Sequence, residues 1–238
     1  MVSRALEPSD DSLPPAPDTS HLITDDGAPV DSFFADKQLR LLVDGLSGWS
    51  HPDGRRFVVG VDVGVFAVAR NPAIVPDVLV SFDIELGVAS DGQPLRSYFL
   101  WELGKPPDIV FELVSKADGG ELTTKLRAYE RLHVAYYIVF DPLATLSTKP
   151  LRVFAFERGA LVEQDAPSLS AFGLALKTWD GEYECLRATY LRWCDLEGEL
   201  LATGNERAND QQKRADDQQK RADALAAKLR AVGVDPDA

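Results

Sequence analysis

Ile109-Val110-Phe111-Glu112-Leu113-Val114 carries one carboxylate inside an otherwise unbroken apolar run. Its length, its β-branched residues and its entry through Pro106-Pro107-Asp108 read as a β-strand. Apolar residues on both alternating faces predict a central strand covered on either side. Period-two alternation puts Glu112 on the face of Val110 and Val114. An ionised carboxylate there is costly unless a cation or a hydrogen-bond donor holds it.

Downstream, Glu121 to Leu132 has a helical stripe of Leu122, Leu126, Tyr129 and Leu132, and Ala135 to Phe140 is a strand that stops at Asp141-Pro142. A strand–helix–strand unit of this length predicts a right-handed parallel crossover within one sheet. Leu151 to Glu157 and Leu161 to Glu163 read as a hairpin turned at Arg158-Gly159, and Tyr183 to Trp193 as a further strand pair with a loop. Upstream, strands are expected at 57–61, 65–68, 75–82 and 97–101, preceded by a helix from Phe33 to Leu46 that Gly48 and His51-Pro52-Asp53-Gly54 break. The fold class is α/β: a mixed sheet flanked by helices, with hairpin additions, in one domain over residues 31–201.

The two ends differ from this middle. Residues 1–30 are rich in Pro, Asp and Ser and predict a disordered acidic leader with no apolar signal core. Residues 202–238 read as a charged C-terminal helix in which Asp-Gln-Gln-Lys-Arg-Ala-Asp at 210–216 recurs unchanged at 217–223. Ala208, Ala215, Ala222 and Leu229 fall at sevenfold spacing. One small apolar residue per heptad suits a solvated helix or, alternatively, a short pairing helix that would make the protein a homodimer.

No apolar run reaches the length of a membrane span, which places the chain in the cytoplasm with no membrane partner. Cys185 and Cys194 have no Cys-x-x-Cys spacing, which argues against a thiolate zinc site; their spacing allows a disulfide, but two reduced, half-buried thiols are expected in a cytoplasmic chain. The net charge of −13 excludes a general nucleic-acid coat protein. Residues 1–36 carry eight acids and one base, residues 206–238 seven of each, and the middle is left with −6 and no basic stripe.

Three residues stand out from a simple core. Glu112 is one. Asp77 opens a similar apolar strand, just after Pro76, and Lys125 lies on the helix stripe between Leu122 and Tyr129, facing the sheet. Each has an ordinary alternative. Asp after Pro is a common turn residue, Glu112 could sit in a structural ion pair with a lysine, and Lys125 could bridge to Glu121 four residues earlier. Together they point to a metal site with a companion cation.

Val75-Pro-Asp-Val-Leu-Val80 followed by Pro106-Pro-Asp-Ile-Val-Phe-Glu-Leu-Val-Ser115 resembles the paired acidic strands of the Uma-type restriction endonuclease family, which has the PD-(D/E)XK nuclease fold. Lys125-Leu-Arg-Ala-Tyr129 and Tyr136-Tyr-Ile-Val-Phe-Asp-Pro142 are similar to its next helix and strand, and 225–236 to its C-terminal helix. The superfamily pattern is Asp, a long gap, then Glu-x-Lys; here the gap is 35 residues and Val114 stands at the lysine position. The resemblance implies that Lys125 has taken that lysine's role. His133 and Tyr136 stand where the family usually has glycine and glutamate, Glu121 where aspartate is common, and Lys-Ala-Asp follows Ser115 in place of a proline-containing loop.

The implied chemistry is hydrolysis of a phosphodiester in nucleic acid, DNA first. Asp77 and Glu112 would hold Mg²⁺ or Mn²⁺, with the backbone carbonyl of Leu113 and, secondarily, Asp108 as further ligands, and Lys125 would orient the attacking water or offset transition-state charge. Lys116, just past the strand, reads as a solvated loop lysine or, alternatively, as one that could reach a phosphate. Two other readings stay open: a catalytically inactive nuclease-fold binding or assembly module, and a small-molecule hydrolase, for which no Gly-x-Ser-x-Gly, phosphate-cradling loop or His-rich motif is present.

Overall fold

In the computed structural model, residues 32–69, 72–87, 95–115 and 119–231 are described. The expected leader, the Lys116 loop and residues 232–238 lie outside them. The described elements all belong to one unit, Asp31–Ala238.

The apolar run that opens the sequence argument becomes β5 (Ile109–Leu113), wholly buried and third in a six-stranded sheet of order β1-β3-β5-β6-β7-β8. Its neighbours are β3 (Val78–Phe82), antiparallel, and β6 (Tyr136–Phe140), parallel. Outside these lie β1 (Phe57–Val61) on one side and the hairpin of β7 (Leu151–Glu157) and β8 (Ala160–Glu163) on the other. Arg158 and Gly159 both take positive φ at that hairpin, the conformation a two-residue turn needs to match strand twist.

Alternation along β5 divides the core. Ile109, Phe111 and Leu113 face a cluster with Leu42, Leu46, Phe172, Leu191 and Trp193. Leu42 and Leu46 belong to α1 (Phe33–Ser47), whose N-terminus is capped by the Ser32 hydroxyl accepting from the Ala35 N–H. Val110 and Val114 face the other way, among Leu79, Tyr129, Tyr137 and Val139. Tyr129 belongs to α3 (Leu126–Leu132), which directly continues a π-helical turn, Glu121–Lys125. The expected single helix over 121–132 therefore begins with a wider turn.

Three local expectations are corrected. Residues 97–101 form only a short strand, β4 (Tyr98–Phe99), which pairs with β2 (Val65–Phe66). Trp101 then lies in the short helix α2 (Leu100–Leu103), closed by Gly104 in the left-handed conformation. The later strand pair starts nine residues earlier than expected, and its loop is only a two-residue turn. β10 (Leu174–Tyr183) and β11 (Leu186–Cys194) join through Glu184 and Cys185, both at positive φ, and with β9 (Ser168–Leu169) form a separate three-stranded sheet. Finally, the thiols are not both half-buried: Cys185 is exposed and Cys194 buried, and both are free.

α4 (Gly204–Ala231) starts with a reciprocal cap, the Thr203 hydroxyl accepting from the Glu206 N–H and the Glu206 carboxylate from the Thr203 N–H. Buried Arg192 of β11 ties this first turn to the second sheet through two bonds to Glu206 and one to the Leu201 carbonyl. From Ala208 to Leu225 every residue of α4 is exposed. Within the helix Gln212 bonds Asp216, and Gln219 bonds Asp223. None of the helices among the described residues is long and apolar enough to cross a membrane.

Candidate functional site

Asp77 immediately precedes β3, whose register against β5 pairs Val78 with Phe111. Continued by one residue, that register sets Asp77 opposite Glu112. Both side chains point to the α3 side of the sheet, since Leu79 and Val110, two residues away on each strand, lie in the cluster there. The main-chain ladder stops at Val78, and the Leu113 N–H donates instead to Asp77 Oδ2 at 2.6 Å. Asp77 is thus fixed by the strand it faces.

Glu112 has no exposed surface. Lys125 Nζ donates to its Oε2 at 2.7 Å and the Tyr129 hydroxyl to its Oε1 at 2.6 Å. The two donors lie one turn apart on the same helix face, so a single helix serves both carboxylate oxygens. Lys125 keeps 32% of its side-chain surface in water and also approaches Glu121 Oε1 at 3.5 Å. The structure therefore brings Asp77, Glu112 and Lys125 together, and it adds Tyr129 and Glu121. Sequence reasoning left Tyr129 as a core residue and Glu121 as an ordinary partner of Lys125. The signal for Tyr129 was its spacing of four from Lys125.

Asp108 does not join them. It lies before the opposite end of β5, four residues from Glu112, a separation of roughly 13 Å along a strand. There its carboxylate accepts from Lys105 Nζ at 2.5 Å and from the Phe82 N–H at 2.7 Å, so it pins the β3–β5 edge.

The electrostatics follow from burial. Desolvation, reinforced by Asp77, pushes the Glu112 carboxyl up to about 7 against the pull of Lys125 and Tyr129. Desolvation raises Asp77 to about 6, opposed by the Leu113 N–H and Lys125. Lys125 is held above the ordinary lysine range; its own burial opposes this but is outweighed by Glu112, Glu121 and Asp77. The asymmetry is physical: the ammonium keeps a third of its surface hydrated while facing several acids, whereas Glu112 is wholly buried beside a like charge. Burial and Glu112 together push the Tyr129 hydroxyl far above its usual range, so it remains a donor.

Two neighbouring acids whose charged forms are this poorly compensated suit a hard cation with oxygen ligands. Among the described residues no three His, Cys, Asp or Glu side chains form a ready-made cage. Mg²⁺ does not require one, because it commonly uses one or two carboxylates and keeps several waters. A cleft of about 520 Å³ opens beside Lys125, lined chiefly by Val65, Ala67, Ile74, Ala128 and Arg131.

A family model described as "Uma2: Putative restriction endonuclease" matches residues 23–176. Among solved structures, the chain is similar to one titled "Crystal structure of a putative nuclease belonging to DUF820 from Anabaena variabilis ATCC 29413". The two are 13% identical with a TM-score of 0.45, over 60% of this chain and 76% of that one. No curated protein matches.

Proposed function

The chain belongs to the Uma2 family, and we propose that it is a metal-dependent endonuclease of the PD-(D/E)XK fold, hydrolysing phosphodiester bonds in nucleic acid, with DNA as its substrate. The observation that carries this reading is the position of Asp77, one residue beyond the Val78–Phe111 pair and so opposite Glu112 on one face of the sheet, with Lys125 Nζ 2.7 Å from Glu112. Asp77, Glu112 and the Leu113 carbonyl are the groups that would hold Mg²⁺ or Mn²⁺, which when bound polarises a phosphate and acidifies a water.

The chain's own residues do the rest. Lys125, raised above its usual range, stays an ammonium at neutral pH, so it orients a water or phosphate oxygen as a donor and offsets negative charge. Tyr129 holds Glu112 Oε1 and thereby directs Oε2 toward Lys125. The protein acts in the cytoplasm, and α4, exposed all round from Ala208 to Leu225, is the segment that would pair two copies.

A catalytically inactive binding or assembly module is the second reading. It is favoured by one observation: both oxygens of Glu112 are already satisfied by donors of the same chain. Incubation with supercoiled, linear and single-stranded DNA in Mn²⁺ or Mg²⁺ decides between them. Cleavage that EDTA abolishes, and that Asp77→Asn, Glu112→Gln and Lys125→Met each remove, is the expected result. Intact substrate in every condition would favour the module.

A further inference from the structure

Glu121 is an acid that the pairing of Asp77, Glu112 and Lys125 does not use. It begins the π-helical turn and is 4% exposed. Among the described residues its buried Oε2 has no hydrogen-bond partner. Buried carboxylate oxygens normally have donors, so this carboxylate is under-satisfied where it stands and can accept more from a neighbouring donor. Its Oε1 lies 3.5 Å from Lys125 Nζ, at the outer edge of a hydrogen bond.

The surroundings aim that carboxylate into the site. The Tyr137 hydroxyl donates to the Glu121 carbonyl at 2.9 Å and so pins its main chain from below. On the other side stands Gly119, where an added Cβ would fall on the Glu121 carboxylate. The missing side chain at Gly119 thus leaves the space that the Glu121 carboxylate occupies, within reach of Lys125. π-turns are uncommon and occur often at functional sites.

We propose that Lys125 has two seats, Glu112 and Glu121, and that Glu121 is a positioning residue that takes the ammonium when Glu112 Oε2 is needed as an ion ligand. An ammonium has three donors, and Lys125 already faces both acids. Moving Nζ by about 1 Å toward Glu121 Oε1 turns the long contact there into a full hydrogen bond. Without this second seat, freeing Glu112 Oε2 would leave the half-buried ammonium beside a new cation with no carboxylate hydrogen-bonded to it. With it, Lys125 stays at the site and its donors turn toward the cleft.

This rests on the metal reading above, and two measurements separate its failure from that one. The first is Mn²⁺ affinity by electron paramagnetic resonance for the full chain, Glu121→Gln, Lys125→Met and the double variant. Glu121→Gln should weaken binding tenfold or more in the parent and less than twofold in the Lys125→Met background, because it acts through the lysine. A tenfold loss in both backgrounds would make Glu121 a direct ligand and overturn the proposal, as would no loss in the parent. No binding by the parent would overturn the metal reading itself.

The second measurement needs no ion. In EDTA, Glu112→Gln and Glu121→Gln each leave Lys125 one seat, and the double variant leaves none. The unfolding equilibrium constant of the double variant should exceed the product of the single effects at least tenfold. Simple multiplication of the single effects would overturn the two-seat arrangement.

Discussion

Glu112→Gln distinguishes a carboxylate that serves an ion from one that serves a structural pair. The substitution keeps shape and removes charge. In the fold the Glu112 carboxyl titrates near 7, against 4.5 ordinarily. Between those values the native state binds more protons than the unfolded chain, so its contribution to stability is full below pH 4.5 and is lost as pH rises to about 7. At pH 8 the ionised group opposes folding by roughly 3 kcal/mol. Gln removes that opposition, and its carbonyl can still accept from Tyr129. The loss falls on Lys125, which keeps a third of its surface in water and has Glu121 within 3.5 Å, so stranding it costs about 1 kcal/mol. Urea denaturation in EDTA at pH 8 should therefore find the variant about 1–2 kcal/mol more stable than the parent, and at pH 5 the advantage should vanish. A loss of roughly 3–5 kcal/mol at pH 8, the usual result of breaking a buried pair, would refute the reasoning.

Further outcomes follow from the same geometry. Because Asp77 titrates near 6 and Glu112 near 7, Mn²⁺ binding should release protons at pH 6 and almost none at pH 8.5; calorimetry in buffers of different ionisation enthalpy reads the difference. Arg192→Ala strips a buried guanidinium from Glu206, the Leu201 carbonyl and the Trp179 ring; chemical denaturation should show a loss of roughly 2–3 kcal/mol, moderated by the half-exposed Glu206. Ending the chain at Asn209 removes the exposed heptads but keeps the capped first turn, so the melting temperature should hold while sedimentation shifts from dimer to monomer. A monomer at both lengths would remove α4 as the pairing segment.

Much of the sheet was legible because its strands are apolar on both faces. The runs at 57–61, 109–113 and 136–140 fall as strands close to where the sequence places them. β10 escaped because Thr178, Asp180, Gly181 and Glu182 interrupt its apolar pattern, and Asp and Gly disfavour strands; pairing along nine residues of β11 outweighs that local preference. Trp101 misled in the opposite sense, since its apolar neighbours suit a strand or a short helix equally and Gly104 closes the latter. At the site, alternation alone puts Glu112 on the α3 face, but which acid accompanies it depends on register. Asp77 and Asp108 both follow a proline at the start of an apolar strand. The antiparallel pairing of β3 with β5 brings the first beside Glu112 and sends the second to the far end. The π-turn, and with it the orientation of Glu121, comes from main-chain geometry that residue spacing does not report.

The ion site itself is the most direct test of the central claim. Anomalous diffraction from crystals soaked in Mn²⁺ locates the ion without reference to activity. The account predicts a peak within bonding distance of both the Asp77 and Glu112 carboxylates, with Lys125 Nζ moved off Glu112. A saturating soak that leaves this position empty, with Lys125 still on Glu112, would contradict it.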